Sequence, residues 1–170
     1  VAQYMEFHYG DSYLQVENYP EKCAQLCLQL MADEKGVQTQ KALDLGCAVG
    51  RTTFELARGF DEVIGVDLSQ RFIECATQLQ DKGSLEYSMI TEGELVTPCK
   101  ASLAGLNLER QSNKVKFYQE DACNLSDRHQ QYNLIFAGNL LDRLFNPKQF
   151  LSSVHNYLVA DGILVMSSPY

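Results

Sequence analysis

Apolar residues recur along the chain with two different periods. Over residues 20–34 they fall at helical spacing, which predicts an amphipathic helix with its apolar face at Cys23, Leu26, Cys27, Leu30 and Met31. Short apolar runs predict buried strands at 42–45, 62–66, 115–118, 132–137 and 163–166. Helical patterns over 51–58, 70–80 and 147–158 lie between these strands. The chain therefore alternates between strands and helices.

This alternation predicts one fold class. Parallel strands joined by right-handed helical crossovers form a doubly wound α/β sheet with helices on both faces. A chain of 170 residues suits a single domain, in which residues 1–35 supply an N-terminal lid and helix. The run 83–113 interrupts the alternation, and we interpret it as an inserted, partly ordered flap. The last predicted strand needs cover at its edge, so we expect the sheet to continue beyond its fifth strand in a longer polypeptide.

The composition narrows the class of ligand. A formal net charge of −8 and a pI of about 4.8 repel nucleic-acid backbones and anionic lipid surfaces, so we expect a small-molecule substrate. No run of about 18 apolar residues could cross a bilayer, and the first residues do not resemble a secretory signal. We therefore predict a cytoplasmic protein that binds neither nucleic acid nor membrane. The cysteines form no CxxC pair, and we expect no metal site.

The turn after the first predicted strand has the character of a ligand-binding loop. Gly46, Ala48 and Gly50 let a ligand approach the backbone closely, and a helix begins directly afterwards. The dinucleotide fingerprint G-x-G-x-x-G, counted from Gly46, needs glycine where Ala48 and Arg51 stand, so that motif is broken. Asp44 inside the strand disfavours a pyrophosphate and suits a cationic amino-acid group. A sulfonium amino-acid nucleoside fits this loop better than a dinucleotide.

Acidic residues stand at the ends of the next two predicted strands. Asp67 closes the second strand, 67 − 46 = 21 residues after the first glycine, where a carboxylate can accept from both hydroxyls of a ribose. Asp121 follows the third strand and can accept from an adenine amino group, while Ala122 offers a backbone N–H. Together these strand ends predict a nucleoside site. We expect the cofactor to contact Asp44, Gly46, Cys47, Ala48, Gly50, Asp67, Leu68, Asp121, Ala122 and Asn139.

Five segments carry a family resemblance. LDLGCAVGRT, GVDLS, EDACNL, AGNLLDRL and DGILVMSSPY resemble, in this order, the successive motifs of class I S-adenosylmethionine-dependent methyltransferases. The resemblance implies a Rossmann-like fold, S-adenosylmethionine as cofactor and S-adenosylhomocysteine as product. The first motif departs from the commonest form by having Ala48 in place of glycine. This departure is tolerable if the adenosyl group leaves room for one methyl group.

A closer resemblance covers nearly the whole chain. ALDLGCAVGRTTFELARGFDEVIGVDLSQRFI, the inserted GEL, DACNL, NLLDRL and SSPY, with FHYG and VENYP near the start, are similar to the C-terminal methyltransferase domain of the ovothiol-forming 5-sulfanylhistidine enzymes. The resemblance implies methylation of an imidazole ring nitrogen of 5-thiohistidine. It also implies an iron-dependent sulfoxide synthase domain upstream in the same longer chain, and further strands after SSPY.

Substrate contacts are expected from two segments. Asn139 and Arg143 follow the fourth predicted strand, and Arg143 suits a bidentate grip on a substrate carboxylate. The structural alternatives are a helix N-cap for Asn139 and a solvated helical turn for Arg143. In the aromatic N-terminal segment, His8 and Tyr9 are candidate substrate residues whose alternative is ordinary packing. The candidate catalytic residues are therefore Asn139, Arg143, His8 and Tyr9.

Other functions stay open at this stage. The domain could bind the cofactor without catalysis and serve as a structural partner of an upstream synthase, or it could methylate another small molecule. A nicotinamide-dependent oxidoreductase is disfavoured by Ala48 and Arg51.

Overall fold

The computed structural model describes residues 1–10, 16–34, 38–93 and 95–169. Its helices are α1 (Ala2–Tyr9), α2 (Tyr19–Asp33), α3 (Arg51–Leu56), α4 (Gln70–Lys82) and α5 (Pro147–Ser153). Its strands are β1 (Lys41–Leu45), β2 (Glu62–Asp67), β3 (Ser84–Glu92), β4 (Leu95–Ser102), β5 (Val115–Gln119), β6 (Tyr132–Gly138) and β7 (Leu158–Ser167). None of the described helices has the length and apolar character needed to cross a membrane.

Five strands form one parallel sheet in the order β5-β2-β1-β6-β7. The chain starts at the central β1, moves outward through β2 to β5, and then returns to the other side of β1 with β6 and β7. This is the doubly wound arrangement that the alternation of strands and helices predicts, and the prediction is confirmed. The direction of winding reverses between β1 and β6, so a crevice opens at the carboxyl ends of these strands.

The two faces of the sheet carry separate hydrophobic cores. Ala42 of β1 packs on the face covered by α2, α3 and α4, whereas Leu43 and Leu45 pack on the face covered by α5. Successive side chains of a strand point to opposite faces. Asp44 therefore shares the face of Ala42, where α3 packs. This places a carboxyl group in the interior, directly behind the loop that follows β1.

The segment interpreted as an inserted, partly ordered flap contains a β-hairpin. β3 pairs antiparallel with β4, and two short 3₁₀ helices, Ala104–Leu106 and Glu109–Lys114, return the chain to β5. At the base of the hairpin, Ala101 belongs to the core beneath α1, and the partly buried Leu85 packs against this core. The Tyr87 hydroxyl donates to Oε2 of Glu6 in α1 at 2.7 Å. Residues 11–15 and 35 of the predicted lid and helix, Glu94 of the GEL segment and Tyr170 of SSPY lie outside the described residues.

The last predicted helix is shorter than its pattern indicates. α5 ends at Ser153, and the 3₁₀ helix Val154–Tyr157 follows. The hydroxyls of Ser152 and Ser153 donate to the carbonyl oxygen of Gln149 at 2.8 and 2.9 Å, and such bonds compete with the helical ladder. β7 begins earlier than predicted, and a left-handed turn at Asp161 (φ 63°) accompanies its shift of register against β6.

Gly65 of β2 leaves a space that neighbouring side chains fill. A Cβ atom at this position would lie 2.7 Å from Cδ1 of Phe117 and 2.9 Å from Oγ1 of Thr53. We expect Gly65→Ala to lower the free energy of unfolding by about 1–3 kcal/mol, because a close-packed core must shift to accept a methyl group. Urea denaturation measures the loss.

Gly105→Ala is the matched control for this substitution. The nearest atom to a Cβ at Gly105 is Cβ of Ser102, at the ordinary contact distance of 3.7 Å. Its free energy of unfolding should change by less than about 0.5 kcal/mol. Wild-type stability in Gly65→Ala would contradict the packing described for β2.

Candidate active site

A cavity of about 560 Å³ opens at the carboxyl ends of β1, β2, β5 and β6. It brings together most of the predicted cofactor residues, namely Asp44, Gly46, Cys47, Ala48, Asp67, Leu68, Asp121, Ala122 and Asn139. Three of the candidate substrate residues, His8, Asn139 and Arg143, line the same cavity. Gly50 and Tyr9 do not line it.

The loop after β1 is built from left-handed backbone conformations. The φ angle is 73° at Gly46, 48° at Ala48 and 87° at Gly50. The N–H groups of Gly46 and Cys47 both donate to the carbonyl oxygen of Val66 in β2, at 2.8 and 3.0 Å. Ala48 adopts this conformation although a Cβ atom makes it costly. The loop is therefore held in one shape by the neighbouring strand.

Gly50 affects the loop through the packing of α3 against the sheet. It directly precedes α3, and a Cβ atom there would lie 2.8 Å from the ring of Phe117. The missing side chain allows α3 to pack closely against the sheet. Gly50 thus supports the site through packing and does not form its wall.

Asp67 connects the ends of β1 and β2 at the cavity. Its Oδ2 accepts from the N–H of Ala48 at 3.0 Å, and its Oδ1 accepts from the N–H of Ser69 at 2.8 Å. Burial raises the pKa of this carboxyl, while the two N–H groups and the charge of Arg143 oppose the rise. Each carboxylate oxygen keeps a further lone pair. Asp67 can therefore still accept hydrogen bonds from a ligand.

Asp44 lies deeper, with 2% of its surface exposed. The Thr53 hydroxyl of α3 donates to its Oδ2 at 2.6 Å. Burial raises the pKa of Asp44 to about 7; the bond from Thr53 opposes this rise, and the charge of Asp67 adds to it. The charge of Asp44 thus changes near neutral pH, and a cation in the cavity would favour the ionised form.

Acidic residues also reach the cavity from the end of β5. Oδ1 of Asp121 accepts from the N–H of Cys123 at 2.8 Å, which forms an Asx turn. Glu120 lines the cavity as well, and its carboxylate accepts from the N–H and hydroxyl of Ser126 at 2.9 and 3.0 Å. Glu120 was not among the predicted residues, although its position beside Asp121 at a strand end was a signal for it.

Aromatic side chains of α1 form one wall of the cavity, which Tyr4, Phe7 and His8 line. His8 is 7% exposed, and no described residue hydrogen bonds its Nδ1. Burial, followed by the charge of Arg51, lowers the pKa of His8 to about 3. His8 is therefore a neutral ring at physiological pH.

Tyr9, the fourth candidate substrate residue, is buried and lies outside the cavity lining. Its hydroxyl donates to the carbonyl oxygen of Val49 at 2.8 Å, and burial raises its pKa well above the usual range. In a helix, neighbouring side chains point in different directions. His8 therefore faces the cavity while Tyr9 anchors α1 to the loop after β1.

Asn139 and Arg143 close the cavity after β6. The backbone of Asn139 is left-handed (φ 50°), and its N–H donates to the carbonyl oxygen of Ser167 at 3.0 Å. The 3₁₀ helix Leu141–Arg143 has no side-chain cap, so Asn139 is not its N-cap. Nη1 of Arg143 donates to the Tyr4 hydroxyl at 2.8 Å. A guanidinium has five N–H groups, so Arg143 has donors left for a ligand.

The balance of charge in the cavity is acidic. The carboxyl groups in its wall are Asp44, Asp67, Glu120 and Asp121. Among the described residues that line it, Arg143 is the only lysine or arginine. Within the part of the chain that the structure describes, no group of three or more His, Cys, Asp and Glu side chains is placed to hold a metal ion. The site favours ligands that carry positive charge and hydrogen-bond donors.

The fold and the cavity define a doubly wound α/β domain with an acidic ligand site where the winding reverses. The chain is similar to the S-adenosylmethionine-dependent methyltransferase from Clostridium acetobutylicum ATCC 824, at 18% identity and a TM-score of 0.63 over 89% of this chain and 50% of that one. It is similar to the TehB-like methyltransferase from Corynebacterium glutamicum, at 22% identity and a TM-score of 0.58 over 89% of this chain and 63% of that one.

A third similar structure is the plantazolicin methyltransferase BpumL in complex with SAH, at 18% identity and a TM-score of 0.55 over 86% of this chain and 44% of that one. The chain thus spans about half the length of the solved structures that it matches. A search of curated protein sequences finds no match.

Residues 43–166 match the family described as methyltransferase domain. The chain belongs to this methyltransferase family, and its fold is that of the class I enzymes.

Proposed function

We propose that the chain binds S-adenosylmethionine in the cavity and transfers its methyl group to a small molecule. The acidic wall is the observation that carries this proposal, because it favours a ligand with positive charge and several hydrogen-bond donors. S-adenosylmethionine has a sulfonium, an ammonium and two ribose hydroxyls. A dinucleotide would bring a pyrophosphate beside Asp44 and Asp67, so the same carboxyl groups oppose it. Membership of the methyltransferase family supports the proposal.

Each part of the cofactor has residues that suit it. Asp67 would accept from the ribose hydroxyls, and Asp44 would balance the cationic amino-acid moiety. Asp121 and the backbone of Ala122 would hydrogen bond the edge of the adenine. Leu68, which is 67% exposed and lines the cavity, would cover the flat face of that ring. When bound, the cofactor supplies a methyl group that its sulfonium activates.

We propose an imidazole ring nitrogen of 5-thiohistidine as the methyl acceptor. The sequence resemblance to ovothiol-forming domains motivates this choice. Arg143 suits the substrate carboxylate, and Asn139 and His8 offer polar groups to the ring. An upstream sulfoxide synthase domain of the same polypeptide would supply the thiohistidine, and we place both reactions in the cytoplasm.

Positioning is the main task of the chain's own residues in this reaction. Methyl transfer is an in-line displacement with a neutral leaving group, so no strong acid is needed. Holding two reactants in line supplies effective molarities of roughly 10⁵–10⁸ M. A ring nitrogen attacks only with a free lone pair, so the site must bind the tautomer that has its N–H on the opposite nitrogen. His8 suits this task, because a neutral imidazole always has one nitrogen that accepts a hydrogen bond.

A methylation assay tests the proposal. Incubation with S-adenosylmethionine and 5-thiohistidine should give a product heavier by one methyl group, with an equal amount of S-adenosylhomocysteine. Histidine and a small aliphatic thiol serve as comparison substrates. Calorimetry that detects S-adenosylhomocysteine binding, without turnover of any imidazole or thiol, would favour the non-catalytic partner of a synthase instead.

Arg143 is expected to recognise the substrate carboxylate. We expect Arg143→Gln to raise the KM for 5-thiohistidine about 10- to 100-fold, the range for losing hydrogen bonds between charged groups. The decarboxylated analogue should show the same KM with both proteins. Arg110→Gln is the matched control, since Arg110 lies in the 3₁₀ helix Glu109–Lys114 and does not line the cavity. Equal KM changes for both substrates would mean that Arg143 does not contact the carboxylate.

A further inference from the structure

Tyr19, Asn139 and Ser167 meet at the cavity although they come from α2, the end of β6 and the end of β7. The hydroxyl oxygens of Tyr19 and Ser167 are 2.5 Å apart. The Ser167 hydroxyl donates to Oδ1 of Asn139 at 3.5 Å, and the backbone N–H of Asn139 donates to the Ser167 hydroxyl oxygen at 3.2 Å. Tyr19 and Asn139 line the cavity. The three residues therefore form a hydrogen-bonded cluster in its wall.

The hydrogen-bonding capacity of Ser167 determines which groups of this cluster donate and which accept. A serine hydroxyl has one hydrogen to donate and two lone pairs that accept. Its hydrogen goes to Oδ1 of Asn139, so the lone pairs take the Asn139 N–H and the Tyr19 hydroxyl. Burial raises the pKa of Tyr19, so this phenol keeps its proton. Tyr19 thus donates to Ser167, and Ser167 donates to Asn139.

The orientation of the Asn139 amide follows from this direction. With Oδ1 held by Ser167, the Nδ2 hydrogens are on the other side of the amide. The Nδ2 hydrogens therefore remain available to the cavity that Asn139 lines. The left-handed backbone of Asn139 (φ 50°), held by two bonds from its N–H to Ser167, keeps the amide in this position.

We propose that Tyr19 and Ser167 are positioning residues that fix the Asn139 amide so that it presents a hydrogen-bond donor to the methyl acceptor. An amide that could rotate freely would present either its acceptor oxygen or its donor nitrogen to the substrate. A fixed amide donor selects a substrate whose ring has an acceptor atom in addition to the attacking nitrogen. The inference rests on the proposed function, since in 5-thiohistidine that additional acceptor is the sulfur, which histidine lacks.

Two substitutions remove parts of the cluster with little change of volume. Tyr19→Phe and Ser167→Ala are each expected to lower kcat for 5-thiohistidine about 10- to 100-fold, because a displaced substrate leaves the line of attack. The loss in kcat should exceed any change in the dissociation constant of S-adenosylhomocysteine. Ser167→Thr retains the hydroxyl and should restore most of kcat. Tyr157→Phe is the matched control, because Tyr157 packs on the opposite face of the sheet and does not line the cavity.

A second measurement does not depend on the substrate. In protein labelled with ¹⁵N-asparagine and bound to S-adenosylhomocysteine, the Asn139 side-chain resonances, identified by their loss in Asn139→Asp, should move in Tyr19→Phe and Ser167→Ala but not in Tyr157→Phe. Unmoved resonances, or wild-type kcat in either variant, would overturn the positioning role. If the wild-type chain leaves 5-thiohistidine unmethylated, the proposed substrate is wrong, and the resonances alone decide whether the amide is fixed.

Discussion

Asp67→Ala is expected to weaken binding of S-adenosylhomocysteine by about 1–3 kcal/mol, which is roughly 5- to 150-fold in Kd. The carboxylate of Asp67 holds the loop after β1 through the N–H of Ala48 and the turn after β2 through the N–H of Ser69. In the proposed complex its remaining lone pairs accept from the ribose hydroxyls. Alanine removes both contributions at once. Isothermal titration calorimetry measures the change.

Two further variants separate the causes of this loss. Asp67→Asn retains one acceptor oxygen, so we expect it to lose less affinity than Asp67→Ala. Asp61→Ala removes the same charge from an exposed residue that precedes β2, at the opposite end of the strand, and should bind normally. A folded Asp67→Ala protein with wild-type affinity would exclude Asp67 from the cofactor site.

The part of the cavity formed by strand ends was predictable because local patterns of apolar residues locate those ends. Gly46 directly follows β1, Asp67 is the last residue of β2, and Asp121 lies two residues after β5. Parallel strands bring their carboxyl ends to the same edge of a sheet, so residues far apart in the chain become neighbours without any further information. Strand positions and strand ends are both visible in the pattern of apolar residues, which is why the strand-end residues meet in one cavity.

The rest of the site depends on contacts that no local pattern encodes. Tyr19 and Ser167 are 148 positions apart, and only the packing of α2 beside the end of β7 brings their hydroxyls together. His8 and Tyr9 are adjacent and chemically plausible, yet the turn of α1 sends one to the cavity and the other to Val49. The β3-β4 hairpin was missed for a related reason, because its strands are half-solvated and lack a continuous apolar run.

Binding of S-adenosylhomocysteine is also expected to weaken about 30-fold between pH 8 and pH 5.5. In the free protein, burial raises the pKa of Asp44 to about 7. The ammonium of the ligand favours the ionised carboxylate, so this pKa falls on binding. Below pH 7 the ligand must therefore displace a proton, and its affinity falls by nearly tenfold per pH unit. Above pH 7 Asp44 is already ionised, and the affinity becomes constant.

Two other titratable groups of the cavity, His8 and Glu120, have pKa values below the range from pH 5.5 to pH 8. His8 titrates at about 3, and hydrogen bonds from Ser126 hold the pKa of Glu120 below its ordinary value in spite of burial. Burial raises the pKa of Asp67 as well, so Asp67→Asn is the necessary comparison. Asp44→Asn should bind more weakly at pH 8 and show no slope, whereas Asp67→Asn should keep the slope.

Calorimetry in buffers of different ionisation enthalpy counts the proton directly. At pH 6 the wild-type protein should release about one proton for each ligand bound, and Asp44→Asn should release almost none. The Thr53 hydroxyl donates to Asp44, so Thr53→Val should raise the free-state pKa further and move the onset of the slope to higher pH. If the pH dependence of binding survives in Asp44→Asn and disappears in Asp67→Asn, the titrating group is Asp67.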